Sequence, residues 1–99
     1  MNNATEIDTL AQDFAEALQE LADGDANATS WLLHSVRDRA NSLHHRGGVE
    51  FPRDFRSRVS EATAAAWQAW KHGAPLAPVR EALDSITDYD FDLLKMAYA

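Results

Sequence analysis

The sequence predicts an all-α protein, a compact four- or five-helix bundle with mostly antiparallel neighbours. Apolar residues recur at spacings of three and four along most of the 99-residue chain, as they do on one face of an α-helix. No stretch alternates apolar and polar residues over the length of a strand. Short connections that contain glycine or proline separate the periodic stretches, and such connections favour antiparallel packing. We therefore expect a single helical domain over residues 1–99.

The first predicted helix covers about residues 6–23. Thr5 followed by Asp8 is typical of a capping pair at a helix N-terminus, and Gly24 stands where a left-handed residue can end the helix. The apolar stripe of this helix comprises Ile7, Leu10, Ala11, Phe14, Leu18, Leu21 and Ala22.

The second predicted helix covers about residues 27–46, with Asp25 or Asn27 as its N-terminal cap. Basic side chains in its last turn suit the negative end of the helix dipole. These side chains are His44, His45 and Arg46, and the apolar stripe is Leu32, Val36, Ala40 and Leu43.

The third predicted helix covers about residues 52–72, with Pro52 in the first turn, where proline is well tolerated. Its stripe comprises Phe55, Val59, Ala62, Ala66, Ala69 and Trp70. Two shorter helices follow, at about residues 76–87 and 89–98. Pro75 and Pro78 bracket the start of the fourth helix, whose stripe is Leu76, Val79, Leu83 and Ile86, and Asp88 or Asp90 begins the fifth.

The composition predicts a lean core and a reducing environment. Hydrophobic residues make up 45% of the chain, but many of them are alanine, so few large side chains remain for the core. The chain has no cysteine, which excludes disulfides and thiolate metal sites. It also lacks a charged start followed by a long apolar stretch, so we expect neither a signal peptide nor a membrane span. We predict a cytoplasmic protein that is a monomer or a homodimer.

The acidic cluster near the C-terminus superficially matches a calcium loop. Such loops need oxygen ligands at alternate positions, a glycine at the sharp turn and a later glutamate. Asp88, Asp90 and Asp92 match the first three ligand positions, but Leu93 replaces the glycine and Ala99 replaces the glutamate. We expect helix caps here rather than a calcium site.

The chain's histidines and serines match no zinc site and no catalytic pattern. His44 and His45 are adjacent, so on a helix they point about 100° apart, and no cysteine is available to complete a zinc site. No serine is flanked by glycines, and no glycine-rich loop could hold phosphate. We therefore predict no metal site, no cofactor and no enzymatic activity.

The layout of charge is the strongest functional signal. Residues 1–30 carry seven carboxylates and neither lysine nor arginine, whereas six of the nine basic residues lie between Arg37 and Arg58. The formal net charge is −7. Pairs between helices could neutralise part of the acidic surplus, but 16 carboxylates face only 9 cations. Acidic surface must therefore remain.

We predict two acidic zones as partner-binding surfaces. Their residues are Glu6, Asp13, Glu16 and Glu20 on the first helix, and Asp88, Asp90 and Asp92 near the C-terminus. On a helical wheel the first four form one row and its adjoining line, facing away from the apolar stripe. Neighbouring like charges destabilise a helix by a few tenths of a kcal/mol, and the first helix has no cation to relieve them. Such zones suit attraction to a basic protein surface.

Nucleic-acid binding is the alternative prediction. Residues 34–58 contain a band of arginines that could contact phosphates. The band comprises Arg37, Arg39, Arg46, Arg53, Arg56 and Arg58. The acidic charge of the whole chain opposes this interpretation, because its long-range field repels a polyanion.

Three further residues are secondary candidates. Trp31 and Trp67 lie beside the apolar stripes. Tryptophan is enriched at binding hot spots, but beside a lean core it commonly packs over neighbouring side chains. We favour packing for both residues. Arg39 falls within the apolar stripe, so we expect it at a helix interface, paired with a carboxylate, or facing a partner. A structural homo-oligomer would need an apolar patch, for example around Trp31, Trp67 and Leu33.

In size and charge the chain resembles bacterial immunity proteins, antitoxins and phage-encoded inhibitors of host defence. This resemblance implies a small protein that blocks a partner, and it assigns no residue roles. We predict a non-enzymatic inhibitor or adaptor that docks on a basic surface of a nucleic-acid-handling protein, where it would act as a mimic of nucleic acid.

Overall fold

A computed structural model describes residues 2–98 and confirms the all-α bundle. The helices in this range are α1 (Asn3–Ala22), α2 (Ala26–His45), α3 (Phe55–His72), α4 (Ala77–Leu83) and α5 (Asp88–Tyr98). No residue from 2 to 98 belongs to a strand. The two end residues of the predicted domain, 1 and 99, lie outside the described residues.

The first three helices run antiparallel to their sequence neighbours, α4 packs on α3, and α5 returns to pack on α1. Two long-range hydrogen bonds show this arrangement. Asn3 at the start of α1 donates from Nδ2 to the carbonyl of Gly47 after α2, over 3.1 Å. Thr63 of α3 donates from Oγ1 to the carbonyl of Leu33 in α2, over 3.3 Å.

The core lies between the helices and is closed by α5. The ring of Phe91 on α5 packs 5.0 Å from Phe14 on α1 and 5.5 Å from Phe55 on α3, measured between ring centroids. Ala62 and Ala66 on α3 are fully buried, and such small side chains let the helices around the core pack closely. The core therefore combines a few aromatic contacts with tight, alanine-rich packing.

Three details of the predicted core are wrong. Leu18 and Ala22 were expected in the stripe of α1 but are exposed, whereas Ala17 is buried. Leu18 lines the open groove between α1 and α5 instead of the closed core. Leu33 is fully buried, whereas Leu32 is only half-buried, since the contact with α3 rotates the buried face of α2 toward Leu33.

Helices α1 and α2 each begin after a residue whose side chain caps the helix N-terminus. Asn2, not Thr5, caps α1: its Oδ1 accepts a hydrogen bond from the backbone N–H of Thr5 over 3.3 Å, so the helix begins three residues before the predicted start. Asp25 caps α2 as predicted, accepting from the N–H of Ala28 over 2.9 Å. Gly24 has φ +78°, which confirms the left-handed end predicted for α1.

Helices α3 and α4 are shorter than predicted. Pro52 lies before α3, and its carbonyl accepts from the N–H of Phe55 over 3.1 Å in a turn that precedes the helix. The predicted helix 76–87 ends at Leu83. Thr87 instead belongs to the next helix start, because its N–H donates to Oδ2 of Asp90 over 2.9 Å.

Two contacts hold the loop between α2 and α3 against the helices. Its residue Val49 is fully buried, and the Val49 carbonyl lies 3.0 Å from Nδ1 of His44 on α2. The backbone N–H of Glu50 donates to the hydroxyl oxygen of Tyr98 on α5 over 2.7 Å. The loop therefore bridges the end of α2 and the end of α5.

Candidate partner-binding surface

The expectation that the acidic row of α1 faces away from the apolar stripe is wrong for three of its members, because Glu6, Asp13 and Glu20 are half-buried. Glu6 accepts a hydrogen bond from the guanidinium of Arg39 on α2, so the first carboxylate of the row is neutralised within the molecule. Asp13 and Glu20 follow Glu6 at intervals of seven residues and hence lie along nearly the same line of the helix. Arg39 is thereby found at a helix interface and paired with a carboxylate, as predicted.

The rest of the row stays uncompensated. Among residues 2–98, ion pairs form between Arg37 and Asp38, between Arg39 and Glu6, and between Arg53 and Asp54. None of them involves Asp13, Glu16 or Glu20. Glu16 is exposed, and Asp13 and Glu20 are half-buried. Three carboxylates of α1 thus remain available to a cation from another molecule.

The three C-terminal carboxylates do not act alike. Asp90 is occupied in capping the start of α5 through Thr87. Asp88 and Asp92 are exposed and line a groove of about 530 Å³ between α1 and α5, together with Asp8. Phe14 and Phe91, both buried, form the apolar floor of this groove.

The two predicted acidic zones therefore do not merge into one surface. None of the four row carboxylates lines the α1–α5 groove. The groove instead includes Asp8, which the sequence interpretation assigned to a cap. On a helical wheel Asp8 shares a face with Ala11 and Ala15, which also line the groove. The small side chains of this face are the one feature of the sequence that could have indicated a groove here. The sequence could not show that α5 packs beside this face, because that contact depends on the tertiary fold.

Three arginines of the band are hydrogen-bonded to other side chains of the protein. Arg56 on α3 donates from Nη1 to Oδ1 of Asn41 on α2 over 3.1 Å. Arg37 bonds to its neighbour Asp38 over 3.1 Å, and Arg39 is held by Glu6. These contacts direct several guanidinium groups along the protein surface, toward neighbours in α1 and α2.

The two secondary tryptophans cover neighbours and also remain accessible. Trp31 is 61% exposed, and its ring centroid lies 5.8 Å from that of Trp70 on α3. Trp67 is 38% exposed and lies 5.4 Å from the ring of His72. The apolar patch predicted for a homo-oligomer lacks one of its three members, because Leu33 is fully buried.

Within the described part of the chain, no three histidine or carboxylate side chains are placed to hold a metal ion. No helix found between residues 2 and 98 combines the length and the apolar character needed to cross a membrane. A scan against protein-family models and searches of curated proteins and of solved structures found no match to the chain.

Proposed function

We propose that this protein is a non-enzymatic inhibitor or adaptor of the cytoplasm that docks through its carboxylates on a basic surface of another protein. The partner surface would be one that otherwise holds nucleic acid, so the acidic protein would compete with DNA or RNA for it. The observation that carries this proposal is the uncompensated acidic row of α1, formed by Asp13, Glu16 and Glu20.

The energetics of the row favour an external cation. Glu16 has like-charged neighbours three and four residues away, and each such pair destabilises α1 by a few tenths of a kcal/mol. A row of fixed carboxylates on a rigid helix also raises the rate of encounter with a basic surface and selects against acidic partners. The net charge of −7 extends this effect beyond the contact itself.

Charge reversal tests the proposal once a partner has been recovered by crosslinking and affinity capture. The variant Asp13→Lys/Glu16→Lys/Glu20→Lys should weaken partner binding at least tenfold and should reduce its dependence on salt. Glu6 is left unchanged, because its reversal would also leave Arg39 unpaired.

The matched control is Glu61→Lys/Glu81→Lys/Asp84→Lys. It changes the net charge by the same amount at three exposed positions, one in α3, one in α4 and one directly after α4. If both variants lose binding to the same extent, then net charge rather than the row determines binding; if neither loses binding, the proposal is wrong. Tight, salt-dependent binding of the unaltered protein to a DNA duplex would instead favour a nucleic-acid-binding module that uses the arginine band.

A further inference from the structure

Helix α5 has apolar residues on two opposite faces. Its inner face packs into the core through Phe91 and Leu94, which are buried. On its outer face Tyr89, Leu93 and Met96 follow each other at spacings of four and three, so they form one line along the helix. They are 68%, 39% and 79% exposed. Single exposed apolar residues are ordinary, but a continuous line of large ones is typical of an interaction surface.

The outer line continues into a shallow cavity beside the α2–α3 loop. The cavity has a volume of about 360 Å³ and is lined by Leu93 and Ala97 of α5 and by Phe51 and Pro52 of the loop. This volume lies at the lower end of the range for ligand pockets, about 300 to 1,000 Å³. The cavity is therefore large enough to receive an aliphatic or aromatic anchor side chain.

Carboxylates flank this apolar surface. Asp88 and Asp92 are exposed on the α5 edge that faces α1, and Glu50 lines the cavity from the loop. Lys95 is the one basic side chain of α5. A second copy of the chain would add its own Glu50, Asp88 and Asp92 to the interface, with one Lys95 from each copy to offset them, so it complements this surface less well than a basic partner does. A partner with cations beside its apolar anchors complements both the charge and the apolar line.

We infer that the outer face of α5 docks an amphipathic helix of a partner protein, with apolar anchors on Tyr89, Leu93 and Met96 and with lysine or arginine toward Asp88, Asp92 and Glu50. Recognition of this kind places an apolar helix face on a complementary apolar surface. The inference rests on the proposed function and adds the apolar contact that the row of α1 lacks.

A synthetic helix of leucine and lysine, with the leucines along one face, serves as the probe. It is titrated into the full chain labelled with ¹⁵N, and amide shifts are followed by NMR. Shifts should concentrate in residues 89–97 and 50–52. Tyr89→Ser/Met96→Ser should weaken binding at least tenfold with an unchanged helical circular dichroism spectrum, because both side chains are mostly exposed.

Leu18→Ser is the control, since Leu18 is an exposed leucine that lines the α1–α5 groove. It should leave the affinity for the probe unchanged. A larger loss for Leu18→Ser than for the α5 variant would overturn the inference. Equal binding of a probe with glutamate in place of lysine would do the same, as would a dimer of the unaltered protein that Met96→Ser dissociates.

The α5 inference and the proposed function can fail separately. If reversal of Asp13, Glu16 and Glu20 weakens partner capture while the α5 variant binds both probe and partner normally, the acidic docking stands and the α5 contact is wrong. If only the α5 variant loses binding, the contact stands and the role of the α1 row is wrong.

Discussion

Arg39 on α2 donates a hydrogen bond to the carboxylate of Glu6 on α1, linking residues 33 positions apart in the sequence. Both side chains are about one-third exposed. The Nε of Arg39 is buried without a hydrogen-bond partner in the described range. This pair is the one ion pair between helices among residues 2–98, so it contributes to the register of α1 against α2.

We predict a coupling free energy of about 1 kcal/mol between Glu6 and Arg39, the upper end for partly exposed pairs. A double-mutant cycle with Glu6→Gln and Arg39→Met, followed by urea unfolding, measures it. Methionine retains an apolar stem in place of the arginine chain, so the change mainly removes the charge. The control cycle uses Arg37→Met and Asp38→Asn, an exposed pair of adjacent residues; a coupling there as large as in the first cycle would contradict the prediction.

Ser30→Ala should stabilise the protein. Ser30 is fully buried in α2, and its hydroxyl makes no hydrogen bond within the described range, so it has lost water without compensation. We expect a gain of about 1 to 2 kcal/mol in the free energy of unfolding, of which about 0.5 reflects the better helix propensity of alanine. Ser35→Ala, at an exposed position of the same helix, isolates the propensity part. Equal gains for the two variants would show that the buried hydroxyl costs nothing.

Tyr98→Phe should loosen the α2–α3 loop. The substitution removes the acceptor for the N–H of Glu50 and keeps the ring. Because the site is partly open to water, we expect a loss near the lower end of the range for a single hydrogen bond, about 0.5 kcal/mol. Hydrogen exchange at the Glu50 amide should accelerate, whereas Tyr89→Phe, at an exposed tyrosine, should leave it unchanged. An unaltered rate in Tyr98→Phe would argue against this bond in solution.

Gly73→Ala should destabilise the end of α3. Gly73 has φ +68° and donates to the carbonyls that end the helix. Apart from Gly73 and its two chain neighbours, no atom of residues 2–98 lies within 4 Å of the position that a Cβ would occupy, so the cost comes from the left-handed backbone, about 1 kcal/mol. Gly47 is not among the positive-φ glycines of the described range, and thermal unfolding of Gly47→Ala should show no comparable loss.

The fold class was predictable because helical periodicity is a local property of the sequence. Repeats of three and four marked each helix, and glycine or aspartate marked most ends. The errors arose where contacts between residues distant in sequence determine a helix boundary or the burial of a side chain. Thr87 looked like a continuation of α4, yet its N–H is used by Asp90 to start α5. The exposure of Leu18 depends on how much of α1 is covered by α5.

The candidate surface was predictable only as a set of charges. The helical wheel correctly placed Glu6 in line with Asp13 and Glu20, but it could not show that Arg39 would reach the first of them. The outer line of α5 was missed because Tyr89, Leu93 and Met96 are as apolar as the core residues beside them. Only the position of α1 relative to α5 distinguishes the face that is buried from the face that is free.

The tryptophans lie at one end of the molecule, and this position determines what fluorescence can detect. Trp31 lies early in α2, and Trp67 and Trp70 lie in the last turns of α3. Phe55, which contacts α5, precedes Trp67 by 12 residues, or about 18 Å along the helix. Intrinsic emission should therefore report the α2–α3 pair and remain silent if α5 detaches alone. An unfolding curve from emission that lags one from circular dichroism would then measure the separate opening of α5.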